Sequence, residues 1–188
     1  MAGRGRRGSP AVWSGQRRRH VEQVRGHRFV AGWGPRRSAT VVPEPLRYWQ
    51  YEAPGPVAVA LAAALAAGWL ALFGWSGGWG EVGNELPWAV GAAAVVLVLN
   101  TRRTTVSDHG LSTHTAATRP DPADVVALAQ VREVHLGRPP SDWPAATRAG
   151  RWWPGRSRIA VRYAADDGGE RAVRYWARDP EAFAGALG

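Results

Sequence analysis

Arginine is absent from the middle of this chain, and that gap limits what the chain can fold into. None occurs between Arg47 and Arg102, although the chain contains 24 arginines and no lysine. Two apolar runs, 57–75 and 86–99, fill the interval. Membrane spans exclude basic residues, whereas the cytoplasmic segments beside them retain them. The pattern predicts a transmembrane helical hairpin over residues 47–101.

The first apolar run contains no charged residue from Val57 to Trp75. At about 1.5 Å per residue, such a helix approaches the roughly 30 Å hydrocarbon thickness of a bilayer. A buried helix of a soluble protein is one alternative, but this run has no polar face. A signal peptide is another, although a long segment precedes the run and no clear cleavage site follows it. We predict a retained span at residues 57–75.

The second run, 86–99, is shorter, and its length fits either a core helix or a short span. It is separated from the first run by the segment 76–85, which we expect to be a loop. Pro87 and Trp88 are typical of a helix start at a membrane interface. We therefore predict a second span at residues 86–100.

The charge distribution predicts the orientation of the hairpin. Eleven arginines precede the first span and two follow the second directly, while the predicted loop carries only Glu81 and Glu85. We expect a multi-pass protein of the cell membrane with both termini in the cytoplasm. Aromatic rings prefer the interface, so we expect Tyr48, Trp49 and Tyr51 at that depth before the first span.

Residues 1–46 form an arginine-rich tail without a sustained hydrophobic period, which predicts disorder. The net charge of residues 1–47 is +9, from 11 arginines and two glutamates. The tail could bind anionic lipid head groups. It could instead bind nucleic acid through counterion release, which gives the alternative function of a membrane-anchored nucleic-acid-binding regulator. We regard nucleic acid as the less favoured partner.

A different start codon is a further possibility for the tail. Met1 is the only methionine, and structured-looking sequence begins near residue 41. If translation started at a valine codon there, residues 1–40 would be absent from the protein. The predicted orientation would then depend on the few arginines that flank the spans.

Residues 102–188 have the pattern of a small, mainly antiparallel α+β domain with a C-terminal helix. Alternating segments are separated by turn signals, Asp108-His109-Gly110 and the stretch 166–169. Asp179 followed by Pro180 is a typical helix start. The segments expected to contribute strands are 104–106, 111–115, 125–136, 159–163 and 172–176.

A long segment, residues 137–158, interrupts this pattern and is rich in Pro, Trp and Arg. A loop of this length is usually functional or disordered. Trp beside Arg suits a membrane surface, because the ring lies at head-group depth and the guanidinium meets phosphate. Covering a small core is the main alternative, and stacking on single-stranded nucleic acid is a weaker one. The candidate membrane or partner contacts are Arg102, Arg103, Trp143, Arg151, Trp152, Trp153 and Arg156.

Several residues of the C-terminal segment carry a family resemblance. They are Val106, Asp108, Gly110 and Leu111 after the second span, and Pro180, Phe183 and Leu187 in the final helix. In this layout the chain resembles small actinobacterial two-helix membrane proteins with a bacterial PH-like domain. The resemblance implies a PH-like fold, no enzyme activity and an interaction module at the cytoplasmic face.

We find no constellation of residues that carries chemistry. The chain has no cysteine, no phosphate-binding glycine loop and no nucleophile-elbow serine. Asp166 and Asp167 precede two glycines, as turn residues do. We therefore expect no catalytic residue, no metal and no cofactor. The predicted function is that of a non-enzymatic integral membrane protein presenting a cytoplasmic lipid- or protein-interaction domain.

Overall fold

The computed structural model describes residues 9–27, 29 and 46–188, which divide into two compact units. The hairpin unit comprises residues 53–101 and 115–117. The sheet unit contains the other described residues and is built from two sheets and two helices.

The described residues form four α-helices and eight strands. The helices are α1 (Pro10–Gly26), α2 (Pro56–Gly77), α3 (Trp79–Asn100) and α4 (Pro180–Leu187). The strands are β1 (Leu46–Glu52), β2 (Arg102–Ser107), β3 (Gly110–Thr115), β4 (Val126–Ala127), β5 (Val131–Leu136), β6 (Thr147–Arg148), β7 (Ser157–Ala164) and β8 (Glu170–Ala177). Short 3-10 turns occur at Pro122–Asp124 and Leu128–Gln130.

The strands form two four-stranded sheets. Sheet A has the order β1-β2-β3-β4, and sheet B has the order β5-β7-β8-β6. Neighbouring strands β1–β2, β3–β4, β5–β7 and β7–β8 are antiparallel, and β6–β8 is parallel. The predicted mainly antiparallel domain is therefore confirmed.

One hydrophobic core joins both sheets to α4. Phe183 of α4 is fully buried, with its ring centroid 5.1 Å from that of Tyr48 and 5.4 Å from that of Tyr175. The Asp179 carboxylate accepts a hydrogen bond from the Ala182 N–H at 3.0 Å, which confirms the predicted helix start. The buried core residues are Tyr48, Val106, Leu111, Ile159, Val161, Val173, Tyr175, Ala177, Phe183, Ala186 and Leu187.

The aromatic residues before the hairpin differ from their predicted role. Tyr48, Trp49 and Tyr51 lie in β1, which pairs with β2 in the sheet unit. Alternate residues of β1, starting at Leu46, are buried, so the segment has the period of a strand. The hairpin unit consequently begins at residue 53 rather than at the predicted residue 47.

The hairpin unit consists of two 22-residue helices separated by Gly78 alone. Gly78 has a φ of +77°, a conformation that glycine adopts without strain, and the chain reverses there. The predicted loop at 76–85 is therefore helical over most of its length, and Pro87 lies inside α3 instead of at its start. Both helices are long and apolar enough to cross a membrane, with mean hydropathies of 2.2 and 1.6.

Small residues line the contact between the two long helices. Ala58, Ala62 and Ala89 are buried, and such residues let helix backbones approach closely. Near the turn, the Trp69 indole N–H donates a hydrogen bond to the Glu85 carboxylate at 2.9 Å. The second helix thus contains an acidic residue with a partner, where the sequence predicted acids only in a loop.

Candidate functional site

The predicted contact residues fall into exposed and buried groups. Trp152 and Trp153 are 58% and 45% exposed, as expected of contact residues. Trp143 is buried against Ala160 and Ala172, which matches the alternative that a Trp of this segment covers the core. Arg103 is also buried, so the structure excludes both Trp143 and Arg103 from an exposed contact surface.

Trp143 is buried because its neighbours on sheet B are small. Ala160 of β7 and Ala172 of β8 leave a hollow that the indole fills. The Arg162 guanidinium lies 5.3 Å from the Trp143 ring centroid and adds a cation–π contact. The remaining tryptophans, Trp152 and Trp153, belong to residues 150–156, which we call the Trp loop.

The Trp loop is attached to sheet A through a buried carboxylate, Glu52. Glu52 is the last residue of β1 and is fully buried. Its Oε1 accepts a hydrogen bond from the Thr104 hydroxyl at 2.7 Å, and its Oε2 accepts one from the Arg151 backbone N–H at 3.1 Å. At the other end of the loop, Arg156 donates a hydrogen bond to the Tyr51 carbonyl. Both ends of the loop are therefore fixed to the end of β1.

Electrostatics at Glu52 reflect its burial. Removal from water raises the pKa of the Glu52 carboxyl, while the hydrogen bonds and the positive charges of Arg156 and Arg102 oppose that rise. Nη1 of Arg151 and Nη1 of Arg156 are buried and have no hydrogen-bond partner within residues 9–27, 29 and 46–188. Two arginines thus lie close to the buried carboxylate, at opposite ends of the Trp loop.

Gly150 permits the close approach of the Trp loop to Glu52. Its φ is +93°, and a Cβ added there would lie 2.6 Å from Glu52 Oε1. A side chain would therefore combine backbone strain with a clash against a buried carboxylate. Gly155, in the same loop, has a φ of +79° but open space around its Cβ position.

The Trp loop lies at the end of sheet A where the chain leaves for the hairpin unit. Glu52 pairs with Arg102 across β1 and β2, and residues 53–101 connect the two. Arg102 is exposed. The structure thus gathers Arg102, the Trp loop and the buried carboxylate at one end of one sheet.

Helix α1 covers the face of sheet A that points away from the main hydrophobic core. The sequence predicted this segment to be disordered. Trp13, His20 and Val24 of this helix are buried. Arg17 donates hydrogen bonds to both carboxylate oxygens of Asp166, at 2.8 and 2.7 Å. The spacing i, i+4, i+7 and i+11 of Trp13, Arg17, His20 and Val24 places them on one face of a helix. This spacing can be recognised in the sequence alone. The rest of the predicted tail is almost entirely outside the described residues.

The packing of α1 bears on the alternative start near residue 41. Residues 10–26 supply a buried part of the sheet unit, which favours their presence in the protein. The packing of α1 also separates the arginines of the cluster at 17–19. Arg17 is engaged with Asp166, whereas Arg18 and Arg19 are exposed.

His20 is the centre of a buried polar network beneath α1. Its Nδ1 lies 2.8 Å from Ser107 Oγ, and its Nε2 lies 2.9 Å from Ser112 Oγ. Nη2 of Arg103 donates to His114 Nε2 at 3.0 Å, which leaves His114 Nδ1 as the donor to Ser112 at 3.3 Å. The network is satisfied when both imidazoles are neutral.

The charges around this network oppose protonation. Burial lowers the pKa of His20 to about 3, and the nearby His114 and His109 lower it further. Burial and the charge of Arg103 lower the pKa of His114 to about 4. Arg103 also forms a cation–π contact, with its guanidinium carbon 3.5 Å from the Phe29 ring centroid. Arg103 lies on the face of β2 that α1 covers, whereas the sequence predicted it as a contact at the membrane edge.

Compared with known protein-family models and with curated protein sequences, the chain gives no significant match. The resemblance to actinobacterial PH-like membrane proteins therefore remains a prediction.

Gly150→Ala should destabilise the sheet unit more than Gly155→Ala. A left-handed conformation costs an alanine about 1–2 kcal/mol, and this applies to both variants. Only Gly150→Ala adds the clash with Glu52, which we expect to cost about 1–3 kcal/mol more. Denaturant unfolding of the full-length protein in detergent measures the difference. Equal losses would contradict the role of Gly150 in seating the Trp loop.

Docking of α1 should weaken as the pH falls below about 6.5. An undocked His20 takes up a proton near its ordinary pKa of 6.5, whereas the docked side chain does so only near 3. The docking free energy therefore falls by up to about 1.4 kcal/mol per pH unit between those values and is constant above them. His114 adds an effect of the same sign if release of α1 exposes it.

Hydrogen exchange of residues 10–26, corrected for intrinsic rates, measures this dependence at about pH 7.5 and about pH 5.5. His20→Gln is the matched variant, because it keeps a polar side chain that does not titrate. We expect this variant to reduce the change in hydrogen-exchange protection of residues 10–26 between the two pH values. An unchanged pH dependence would show that another group controls docking.

Proposed function

We propose that this protein is a non-enzymatic, two-span membrane protein whose sheet unit lies at the cytoplasmic surface of the membrane. In this proposal the Trp loop contacts anionic lipid head groups beside the point where the chain enters the bilayer. The observation that carries the proposal is the pairing of Glu52 with Arg102, with the hairpin unit inserted between them.

The strand pairing supports an even number of membrane crossings. Partner residues in an antiparallel ladder lie about 4.5–5.5 Å apart. The chain therefore leaves β1 and returns to β2 at nearly the same place. A single crossing would separate Glu52 and Arg102 by the full thickness of the bilayer, about 30 Å. Two helices of 22 residues each, about 33 Å long, fit an out-and-back path.

The surface of the long helices supports a lipid environment. Leu72 is 66% exposed and Trp75 is 94% exposed, although both lie in an almost wholly apolar helix. A core helix of a soluble protein would bury such side chains, whereas a bilayer solvates them. Within the described residues the long helices bury little more than small side chains against each other.

Charge supports the cytoplasmic orientation. Residues 102–188 carry 13 arginines, and the stretch from 48 to 101 carries none. Basic segments near membrane spans are retained on the cytoplasmic side. The sheet unit, which contains strands from both sides of the hairpin, would therefore be cytoplasmic.

The anchoring of the Trp loop supports contact with lipid. Glu52 and Tyr51 hold both ends of the loop, and only residues 53–55 separate β1 from α2. Three residues extend at most about 11 Å, so in the proposed topology the chain has little length between the end of β1 and the first span. The exposed rings of Trp152 and Trp153 suit head-group depth, and the exposed Arg102 at the same end of sheet A suits lipid phosphate.

The PH-like resemblance fits the same role as an analogy. The hairpin of β2 and β3 after the second long helix and the final helix α4 are features that the resemblance also implies. Fold analogy gives no activity by itself, so the proposed role rests on the site.

Replacing Trp152 and Trp153 with Ala should detach the Trp loop from the membrane. The chain has no cysteine, so Pro154→Cys gives a unique site for a fluorophore in the loop. The full-length labelled protein is placed in phosphatidylcholine–phosphatidylglycerol nanodiscs, with or without nitroxide-headgroup lipid. We expect strong quenching by the nitroxide, and a loss of at least about half of it in the double variant because the interfacial rings are gone.

Leu136→Ala is the control, since Leu136 is an exposed apolar residue outside the Trp loop. It should leave the quenching unchanged. Equal quenching in the parent and in the double variant would refute lipid contact through the Trp loop. Quenching that is absent even in the parent would also refute it and would leave a protein partner as the alternative.

A further inference from the structure

The outer face of sheet B carries a group of arginines that are not among the predicted contact residues. In β8, Val173 and Tyr175 point to the core, so Arg174 and Trp176 point outward. Arg148 of β6 is the register partner of Arg174, and Arg158 of β7 is the register partner of Trp176. We call Arg148, Arg158 and Arg174 the arginine row.

Within residues 9–27, 29 and 46–188, the arginine row has no acidic partner. Arg162, on the same face, is neutralised by Glu133 at 2.7 Å and Glu170 at 3.5 Å. No member of the row forms an ion pair with an acidic residue of the described chain. Like charges on neighbouring strand positions destabilise a sheet. The juxtaposition of Arg148 and Arg174 therefore favours the binding of an anion.

The row is shaped for oxyanions. The guanidinium carbon of Arg158 lies 4.8 Å from the Trp176 ring centroid, and stacking of this kind fixes the orientation of the planar group. Arginine forks bind phosphate through paired N–H groups, so a guanidinium held in one orientation suits a phosphate ligand.

The row is continuous with the Trp loop. Arg148 is the last residue of β6 before the loop, and Arg158 is the second residue of β7 after it. The Gln50 amide of β1 donates a hydrogen bond to the Trp176 carbonyl at 2.7 Å, which ties this end of sheet B to the end of β1 that precedes the hairpin. Two members of the row, Arg148 and Arg158, therefore lie within two residues of the ends of the Trp loop.

We propose that Arg148, Arg158 and Arg174 bind the phosphate groups of anionic lipid next to the Trp loop. The sheet unit then senses the anionic lipid content of the bilayer, because the row contributes only when negative head groups are present. This inference rests on the proposed function, since its occupant is the membrane surface. In the combined surface, the tryptophans bind any bilayer and the arginines add selectivity for negative charge.

The test uses the full-length protein labelled at Pro154→Cys, in nanodiscs of phosphatidylcholine alone and of phosphatidylcholine mixed with phosphatidylglycerol. Nitroxide-headgroup quenching reports the fraction of Trp loops in contact with lipid. We expect contact to increase when phosphatidylglycerol is added, by up to about fivefold in the contact equilibrium per arginine, and to decrease with added salt.

The triple variant Arg148→Gln/Arg158→Gln/Arg174→Gln should lose that increase while keeping the contact seen in phosphatidylcholine alone. A charge-matched control, Arg119→Gln/Arg132→Gln/Arg138→Gln, changes three exposed arginines elsewhere in the sheet unit and should keep the increase. If the row variant still responds to phosphatidylglycerol, or if the parent protein does not respond, the inference is wrong.

The outcomes also separate this inference from the proposed function. A failure of Trp152→Ala/Trp153→Ala to reduce contact in either bilayer counts against the Trp loop. Loss of the phosphatidylglycerol response in the row variant still supports the arginine row in that case. The reverse pattern, with tryptophan dependence and no arginine dependence, leaves the proposed function standing and removes the inference.

Discussion

Glu52 and Arg102 face each other at the end of β1 and β2, and the whole stretch 53–101 is inserted between them. Neighbouring antiparallel strands are usually joined by a turn of a few residues. Here the connection is a pair of long apolar helices that has to return to its starting point. Because β1 and β2 can pair only if the chain returns to the end of β1, the strand pairing constrains the path of the helices.

Two buried titratable groups hold the outlying segments onto sheet A. Glu52 binds the Trp loop at the end of the sheet, and His20 docks α1 onto its other face. Burial favours the neutral form of both groups, so it raises the pKa of Glu52 and lowers that of His20. Both attachments combine hydrogen bonds with burial, and α1 also packs through the apolar side chains of Trp13 and Val24.

The sequence predicted the parts of the fold whose signals are local. The turn at 166–169, the strands around it and the helix that begins after Asp179 were all readable from alternation and capping. Strand β1 was missed because tyrosine and tryptophan suit both a strand and a membrane interface. Its partner β2 follows only after both long helices, beyond the reach of any local pattern.

The candidate site was predicted only in part, again because burial depends on residues that are distant in the chain. Trp143, Trp152 and Trp153 have the same composition signal, and only the small residues Ala160 and Ala172 decide that the first is buried. Helix α1 was missed because its arginines dominate the composition of the tail. Its docking depends on residues such as Ser107 and Asp166, which are distant in the chain, although the stripe of Trp13, Arg17, His20 and Val24 was visible.

The central claim is that the hairpin crosses the membrane twice and leaves the sheet unit inside. Single cysteines at Ser76→Cys, near the turn between α2 and α3, and at Ser141→Cys, exposed in the sheet unit, test it in a chain with no native cysteine. A membrane-impermeant maleimide applied to intact cells should label position 76, and should label position 141 only after the cells are opened. Labelling of position 141 in intact cells would contradict the account.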